Sequence, residues 1–246
     1  MRLQSKITLI IGAGSGIGRA IAWRFAQEGA HVAVADVAPE AGQETVNQII
    51  TAGGIAHFFP VDVTQREQLR ALLAAVETDY GRLEVLVNSA GVAGRGCIED
   101  APDELWERAL AVNLSGVFWA CKYAVPLLKR SGGGVIINLG SVAGLRGWPG
   151  SAIYSATKGG VVMLSRTLAA DYAREHIRVF ALCPTAVDTP IVNQLFTREA
   201  DPMAAKQAYE AKEPMGRMLT TAEVANAAVY LASDERPPYT PEPLII

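Results

Sequence analysis

The chain has 246 residues, of which 50% are hydrophobic and 19% charged, enough for a sizeable core and too apolar for a disordered chain. A net charge of −3, with Lys and Arg scattered along the chain, leaves no footprint for nucleic acid or an anionic membrane surface. Three widely spaced cysteines (Cys97, Cys121 and Cys183) give no disulfide framework and fit a reducing cytoplasm, and His31, His57 and His176 stand apart from any metal-ligand spacing.

Strand and helix signals then alternate. Residues 7–11 are an apolar run that reads as a strand. Glycines follow, and then a helix over 16–28 that Gly29 stops. Arg2 and Lys6 precede that apolar run as in a signal peptide, but it is short and passes straight into the glycines with no clear cleavage site. A second strand covers 31–35, a helix 41–52 and a third strand 56–61. Thr64, with Glu67 three residues on, spells a capping box for a helix reaching Tyr80. Strands over 83–87, 135–139 and 178–182 alternate with mostly helical stretches over 102–129 and 154–175. Residues 190–212 are polar and irregular, helical in part. A helix over 221–232 is capped by Thr220 or Thr221, and 244–246 reads as a short strand. No apolar run approaches the length of a membrane span. Strands alternating with helices imply parallel pairing through right-handed crossovers, and continuous apolar strands imply a sheet buried on both faces. The expected fold is α/β, a Rossmann-type doubly wound parallel sheet with helices on both faces, in a single domain over 1–246.

The chemistry falls at the strand ends. Gly12, Gly14, Gly16 and Gly18 lie between the first strand and the first helix. Glycines there admit positive φ and let the backbone approach a pyrophosphate, while the helix N-terminus offers free N–H groups. A tight turn alone would account for a glycine cluster; here the strand, the helix and Asp36 at the end of the second strand agree. Asp36 suits the ribose hydroxyls of NAD and would repel the extra phosphate of NADP. Asp62, after the third strand, either caps the next turn or touches the adenine edge. Tyr154 and Lys158 are four residues apart and share one helix face. A free tyrosine titrates near about 10. A neighbouring ammonium and a positive nicotinamide ring would both draw it down, toward the range of a working acid/base. Ser141 follows the fifth strand, where its hydroxyl can steady a carbonyl oxygen. Asn113 lies mid-helix, where Asn is a poor helix former, a hint of a role in holding a water near Lys158.

With these motifs the chain resembles the classical short-chain dehydrogenase/reductase family over nearly its whole length. GAGSGIG at 12–18, Asp36, DV at 62–63, NSAG at 88–91, Asn113 in VNLSG, Ser141 in INLGSVAG, YSATK at 154–158 and CPTAVDTP at 183–190 stand in the family's order. The resemblance implies that Tyr154 is the acid/base and that Lys158 lowers its pKa and holds the nicotinamide ribose. It implies that Ser141 orients the substrate oxygen and that Asn113 keeps a water in a proton relay. Gly12, Ser15, Gly16, Ile17, Gly18, Asp36, Val37, Asp62, Val63, Asn88, Ala90 and Gly91 would contact or frame the cofactor, with Pro184, Val187 and Thr189 toward the carboxamide end of the nicotinamide. The implied cofactor is NAD rather than NADP. The implied partners are a small alcohol or ketone and further copies of the chain, as a tetramer or dimer.

The chain also departs from the family's pattern. Ile11 stands in place of a Thr that tethers a neighbouring loop, Ser89 in place of an Asn, and Thr185 in place of a Gly beside the pocket, which should narrow it. Pro241 stands where a Gly is usual in the stretch 236–246; prolines cannot donate ladder hydrogen bonds, so the last strand should be short and the tetramer contact altered. The pocket is expected to be walled by Val92, Val142, Trp148, Thr185, Val192, Leu195, Phe196 and Met215 beneath a flap over 190–215. Such mostly apolar walls suit an aliphatic or aromatic secondary alcohol or its ketone. Arg95 and Arg146 either meet an anionic substrate or are solvated. One rival reading is a 3-oxoacyl-(acyl-carrier-protein) reductase, which shares nearly all these motifs but commonly prefers NADPH, against Asp36. Another is a non-catalytic NAD sensor or scaffold, against which the intact set Asn113, Ser141, Tyr154 and Lys158 speaks.

Overall fold

In β1 (Ile7–Ile11), Ile7, Leu9 and Ile11 join one apolar cluster and Ile10 another, the alternation a pleated strand imposes. The core therefore lies in two layers, one on each side of a sheet, and each fully buried Leu or Ile in it contributes roughly 1.5–3 kcal/mol. The remaining elements follow as α1 (Gly16–Gln27), β2 (His31–Asp36), α2 (Pro39–Thr51), β3 (Ile55–Pro60), α3 (Arg66–Tyr80), β4 (Val85–Asn88), α4 (Asp103–Leu110) and α5 (Gly116–Arg130). Then come β5 (Gly134–Leu139), α6 (Ala152–Tyr172), β6 (Ile177–Cys183), α7 (Pro190–Asn193), α8 (Pro202–Glu210), α9 (Thr221–Ala232) and β7 (Leu244–Ile245). The structure, a computed structural model, describes residues 1–94, 96–197, 201–235 and 242–246.

All pairings are parallel, in the order β3-β2-β1-β4-β5-β6-β7. Helices α1 and α9 cover one face, and α3, α5 and α6 the other, which is the doubly wound single-domain architecture expected. The order reverses between β1 and β4, so their outgoing chains part and leave a crevice at the carboxyl ends of the strands. At that point a Cβ on Gly12 would collide with the Ala90 backbone, so the loops after β1 and β4 meet only because Gly12 has none. Ile11 is fully buried in the second layer, so packing stands where a threonine hydroxyl was expected to tether a loop.

Two expectations, the Thr64 cap and the lack of a span-length apolar run, need correction, and two others gain detail. Thr64 does not cap α3: its hydroxyl donates to Asp62 Oδ1 (2.8 Å), and the helix starts after Gln65 with no side-chain cap. The stretch 102–129 is not one regular helix, because a π-helical turn over Ala111–Ser115 separates α4 from α5. By length and composition the joined run Asp103–Arg130 is apolar enough to cross a membrane. Charges near both ends hid this from a search for unbroken apolar runs; in the fold, Val117, Ala120, Cys121, Ala124 and Leu128 pack into the core. Thr220, rather than Thr221, caps α9. The last strand is short, two residues paired with the end of β6, while Pro241 and Arg95 lie outside the described residues.

Candidate active site

One cavity of about 920 Å³ runs along the crevice. Its first end is built by the loop between β1 and α1. Ser15 is extended and makes no side-chain cap to α1, and the first turn of that helix has no acidic residue. Its amides and the positive end of the helix dipole are left to an outside anion. Gly12, Ser15, Gly16, Ile17 and Gly18 line this end, with Asp36, Val37, Asp62, Val63, Ala90 and Gly91. Asp36 Oδ2 accepts from the Gly14 N–H (2.7 Å) and Oδ1 from the Ala38 N–H (2.9 Å). Asp62 lines the cavity and also caps the following turn, accepting from the Thr64 N–H at 2.9 Å. A dinucleotide fits this set: open amides for a diphosphate, a carboxylate for ribose hydroxyls, and enough length for both halves.

The middle of the cavity is where α6 meets the end of β5. The turn Val142–Gly144 seats against α6, where a Cβ on Gly144 would lie 2.6 Å from the Lys158 backbone. That close approach sets the Ser141 hydroxyl beside the Tyr154 phenol. Lys158 is buried one helical turn on, its Nζ donating to the Leu139 carbonyl (2.7 Å) and lying 5.7 Å from the Tyr154 ring centre. Burial pushes the Tyr154 phenol up to about 12, with the neighbouring Ser141 hydroxyl pulling the other way. Desolvation outweighs the lowering by Lys158 expected from the sequence, and drives Lys158 itself down to about 8. Asn113 sits in the π-helical turn, fully buried. Its Oδ1 accepts from the Val92 N–H (2.8 Å), and its Nδ2 donates to the Val92 carbonyl (3.0 Å) and to Thr157 Oγ1 (3.2 Å). It thereby pins the chain leaving β4 to α6. Such a turn is a frequent mark of a functional position.

The far end is closed by the chain after β6. Pro184, Thr185 and Val187 line it, with Val92, Val142, Trp148, Val192 and Leu195, while Thr189 lines the cavity close to Gly16. Thr189 also caps α7, accepting from the Val192 N–H. Three expected residues are elsewhere. Asn88 turns into the core and donates to Asn138 Oδ1 (2.8 Å), because the pleat of β4 sends its side chain away from the cavity. Phe196 is buried beneath the segment, packed with Ala186 and Met218 and edge-on to Tyr209 at 5.5 Å. Met215 is exposed, away from the lining. Arg146 lies over the Trp148 ring at 5.4 Å rather than on the wall. Sequence reasoning passed over Arg108, Gln194, Tyr209 and Glu213, which do line the cavity. For Gln194 and Tyr209 the signal was helical spacing within a stretch that read as polar and irregular, while Arg108 lay in a stretch read as helical without a site in it.

The family described as enoyl-(acyl carrier protein) reductase matches residues 12–246. The chain is 39% identical to a 2-(S)-hydroxypropyl-CoM dehydrogenase of Xanthobacter autotrophicus, over 95% of this chain and 92% of that one. It is 37% identical to a 3-oxoacyl-(acyl-carrier-protein) reductase of Thermotoga maritima, over 96% of this chain and 93% of that one. Among solved structures, an actinorhodin polyketide ketoreductase with NADPH superposes with a TM-score of 0.94 at 34% identity, covering 98% of this chain and 95% of that one.

Proposed function

The chain belongs to the short-chain dehydrogenase/reductases, oxidoreductases that bind a nicotinamide cofactor, and from that membership we propose that it uses NAD to interconvert a secondary alcohol and its ketone. The observation that carries this reading is the meeting of Ser141, Tyr154 and a buried Lys158 on the wall of one largely apolar pocket. When bound, the nicotinamide supplies or takes up the hydride. The residues of the chain do the rest. The first turn of α1 holds the diphosphate, Asp36 the adenosine ribose, and Pro184, Val187 and Thr189 border the carboxamide. Tyr154 donates a proton to the carbonyl oxygen or takes one from the alcohol; Ser141 fixes that oxygen; Lys158 supplies positive charge beside the phenol. The segment 190–215 covers the substrate, its apolar side chains excluding water. Three free cysteines fit a cytoplasmic setting, and exposed Trp106, Phe118 and Met163 on α4, α5 and α6 favour a homo-oligomer.

Replacing Tyr154 by Phe removes the proton and leaves the cofactor's contacts. Turnover should fall by at least about a hundredfold while NADH binding, read by its fluorescence, is retained. Turnover that survives would refute this assignment. A second reading, reduction of a 3-oxoacyl thioester with NADPH, is favoured by the Thermotoga maritima relative and by the ketoreductase structure with NADPH. Faster oxidation of NADPH than of NADH with a 3-oxoacyl thioester would establish it.

A further inference from the structure

The wall that faces Tyr154 and Ser141 comes from α8 and the turn after it. Along this stretch Ala205, Lys206, Tyr209, Glu210 and Glu213 are partly buried, while Met203, Gln207, Ala208, Ala211 and Lys212 are exposed. That is one inward helical face. It extends past Glu210 because the amides of Ala211, Lys212 and Glu213 still bond back to Gln207, Tyr209 and Glu210. The face is fixed in place: Lys206 Nζ lies 3.0 Å from Asp188 Oδ2, Asn193 Nδ2 donates to Asp188 Oδ1 (2.7 Å), and Phe196 packs on Tyr209. Glu213, one turn beyond Tyr209, is consequently turned into the cavity, which both residues line.

Two nearby carboxylates have partners, while Glu210 makes no side-chain hydrogen bond or ion pair among the described residues but does not line the cavity. Asp188 holds Lys206 and Asn193, and Asp201 caps α8 through the Ala204 N–H. The Glu213 side chain has neither hydrogen bond nor ion pair among the described residues, and shares the cavity wall with Val142, Trp148, Val192 and Leu195 as well as Gln194 and Tyr209. Arg108, which also lines the cavity, makes no ion pair with it. A carboxylate on the wall of a pocket loses hydration when a ligand fills that pocket, unless the ligand donates to it. A carboxylate accepts and cannot donate, so its complement is a donor without negative charge.

Resting on the function proposed above, we infer that Glu213 sets the substrate class: a secondary alcohol or ketone with a free hydroxyl at the end remote from the reacting carbon. An anionic tail in that place meets like charge and is rejected.

The test compares three tails on one skeleton at two lengths: 2-pentanol, 1,4-pentanediol and 4-hydroxypentanoate, and 2-heptanol, 1,6-heptanediol and 6-hydroxyheptanoate. Turnover with NAD is measured, and so is the affinity of each probe for the protein–NAD complex, by calorimetry. At one length or both, the diol should exceed the alkanol in kcat/KM and in affinity by at least about tenfold, with the hydroxy acid lowest. In Glu213→Leu the diol-to-alkanol ratio should collapse toward one, and in Glu213→Arg the hydroxy acid should overtake the diol. A ratio that is the same in wild type and Glu213→Leu overturns the inference. If no probe is turned over but the affinity ratios behave as stated, the alcohol-oxidising reading fails and the role of Glu213 stands.

Discussion

Both oxygens of Asp36 already accept a backbone N–H, from Gly14 and from Ala38. Each keeps a further lone pair, so the carboxylate can take ribose hydroxyls without giving up the loop it braces, while a phosphate in that place would meet its charge. Arg19, which would be the cation to offset such a phosphate, is held elsewhere, donating to the Gly14 and Ala41 carbonyls and pairing with Glu44 at 3.0 Å. Asp36→Ala should therefore cut the NAD-over-NADP ratio of kcat/KM by about tenfold or more, and an unchanged ratio would take cofactor choice away from this residue. Asp36 was legible because residue type and strand end suffice to place it. Asn88 was not: a motif gives its position on β4, but the pleat decides which way its side chain points. Phe196 fails for a similar reason, since an apolar residue in a covering segment can line a pocket or lie underneath it.

The same four-residue pattern, Thr-x-x-Glu, occurs before α3 and before α9 and has two outcomes. At Thr220 the box closes: its Oγ1 accepts from the Glu223 N–H (3.2 Å), and Glu223 Oε2 accepts from the Thr220 N–H (2.8 Å). Before α3, Asp62 captures Thr64 first and the pattern is silent. Competing acceptors two residues upstream are invisible to a pattern read alone, as is the extra residue in the turn that holds Asn113. The Arg217 guanidinium, hydrogen-bonded to Glu223, and the two Thr220 bonds hold the Glu223 carboxyl down at about 2, from an ordinary 4.5. A carboxyl depressed in the fold stabilises it above its unfolded pKa and loses that contribution as pH falls through the folded value. Glu223→Gln should thus lower Tm at neutral pH, and the gap to wild type should close as pH is taken from about 4.5 toward about 2. A gap that persists at the acid end would mean that the cap, not the charge, carries the effect.

The parallel, doubly wound architecture was the most legible feature of the molecule, since alternating apolar runs and helices admit few topologies; the continuity of one cavity from Asp36 to Glu213 was not, because it depends on where α8 comes to rest. That continuity makes the crevice a single ligand site for the whole domain. NADH at a hundredfold its Kd should add about 2.7 kcal/mol of stability, a rise in Tm of roughly 5–10 °C for a chain of this size, and NADP should add less at equal concentration. A midpoint unmoved by either would remove the crevice as a dinucleotide site. Beneath it, Asn88 and Asn138 are direct partners across β4 and β5, and Asn138 Nδ2 donates to Ser165 of α6 at 2.9 Å. Sliding β4 past β5 by two residues would leave every apolar side chain in its own layer, so hydrophobicity alone does not forbid it. The slide would strand two amides in the core, each costing about 1–3 kcal/mol. The polar chain is in effect an alignment mark: it gives two interchangeable apolar strands one address relative to each other and to α6, and so fixes the height at which Tyr154 and Lys158 stand above the sheet.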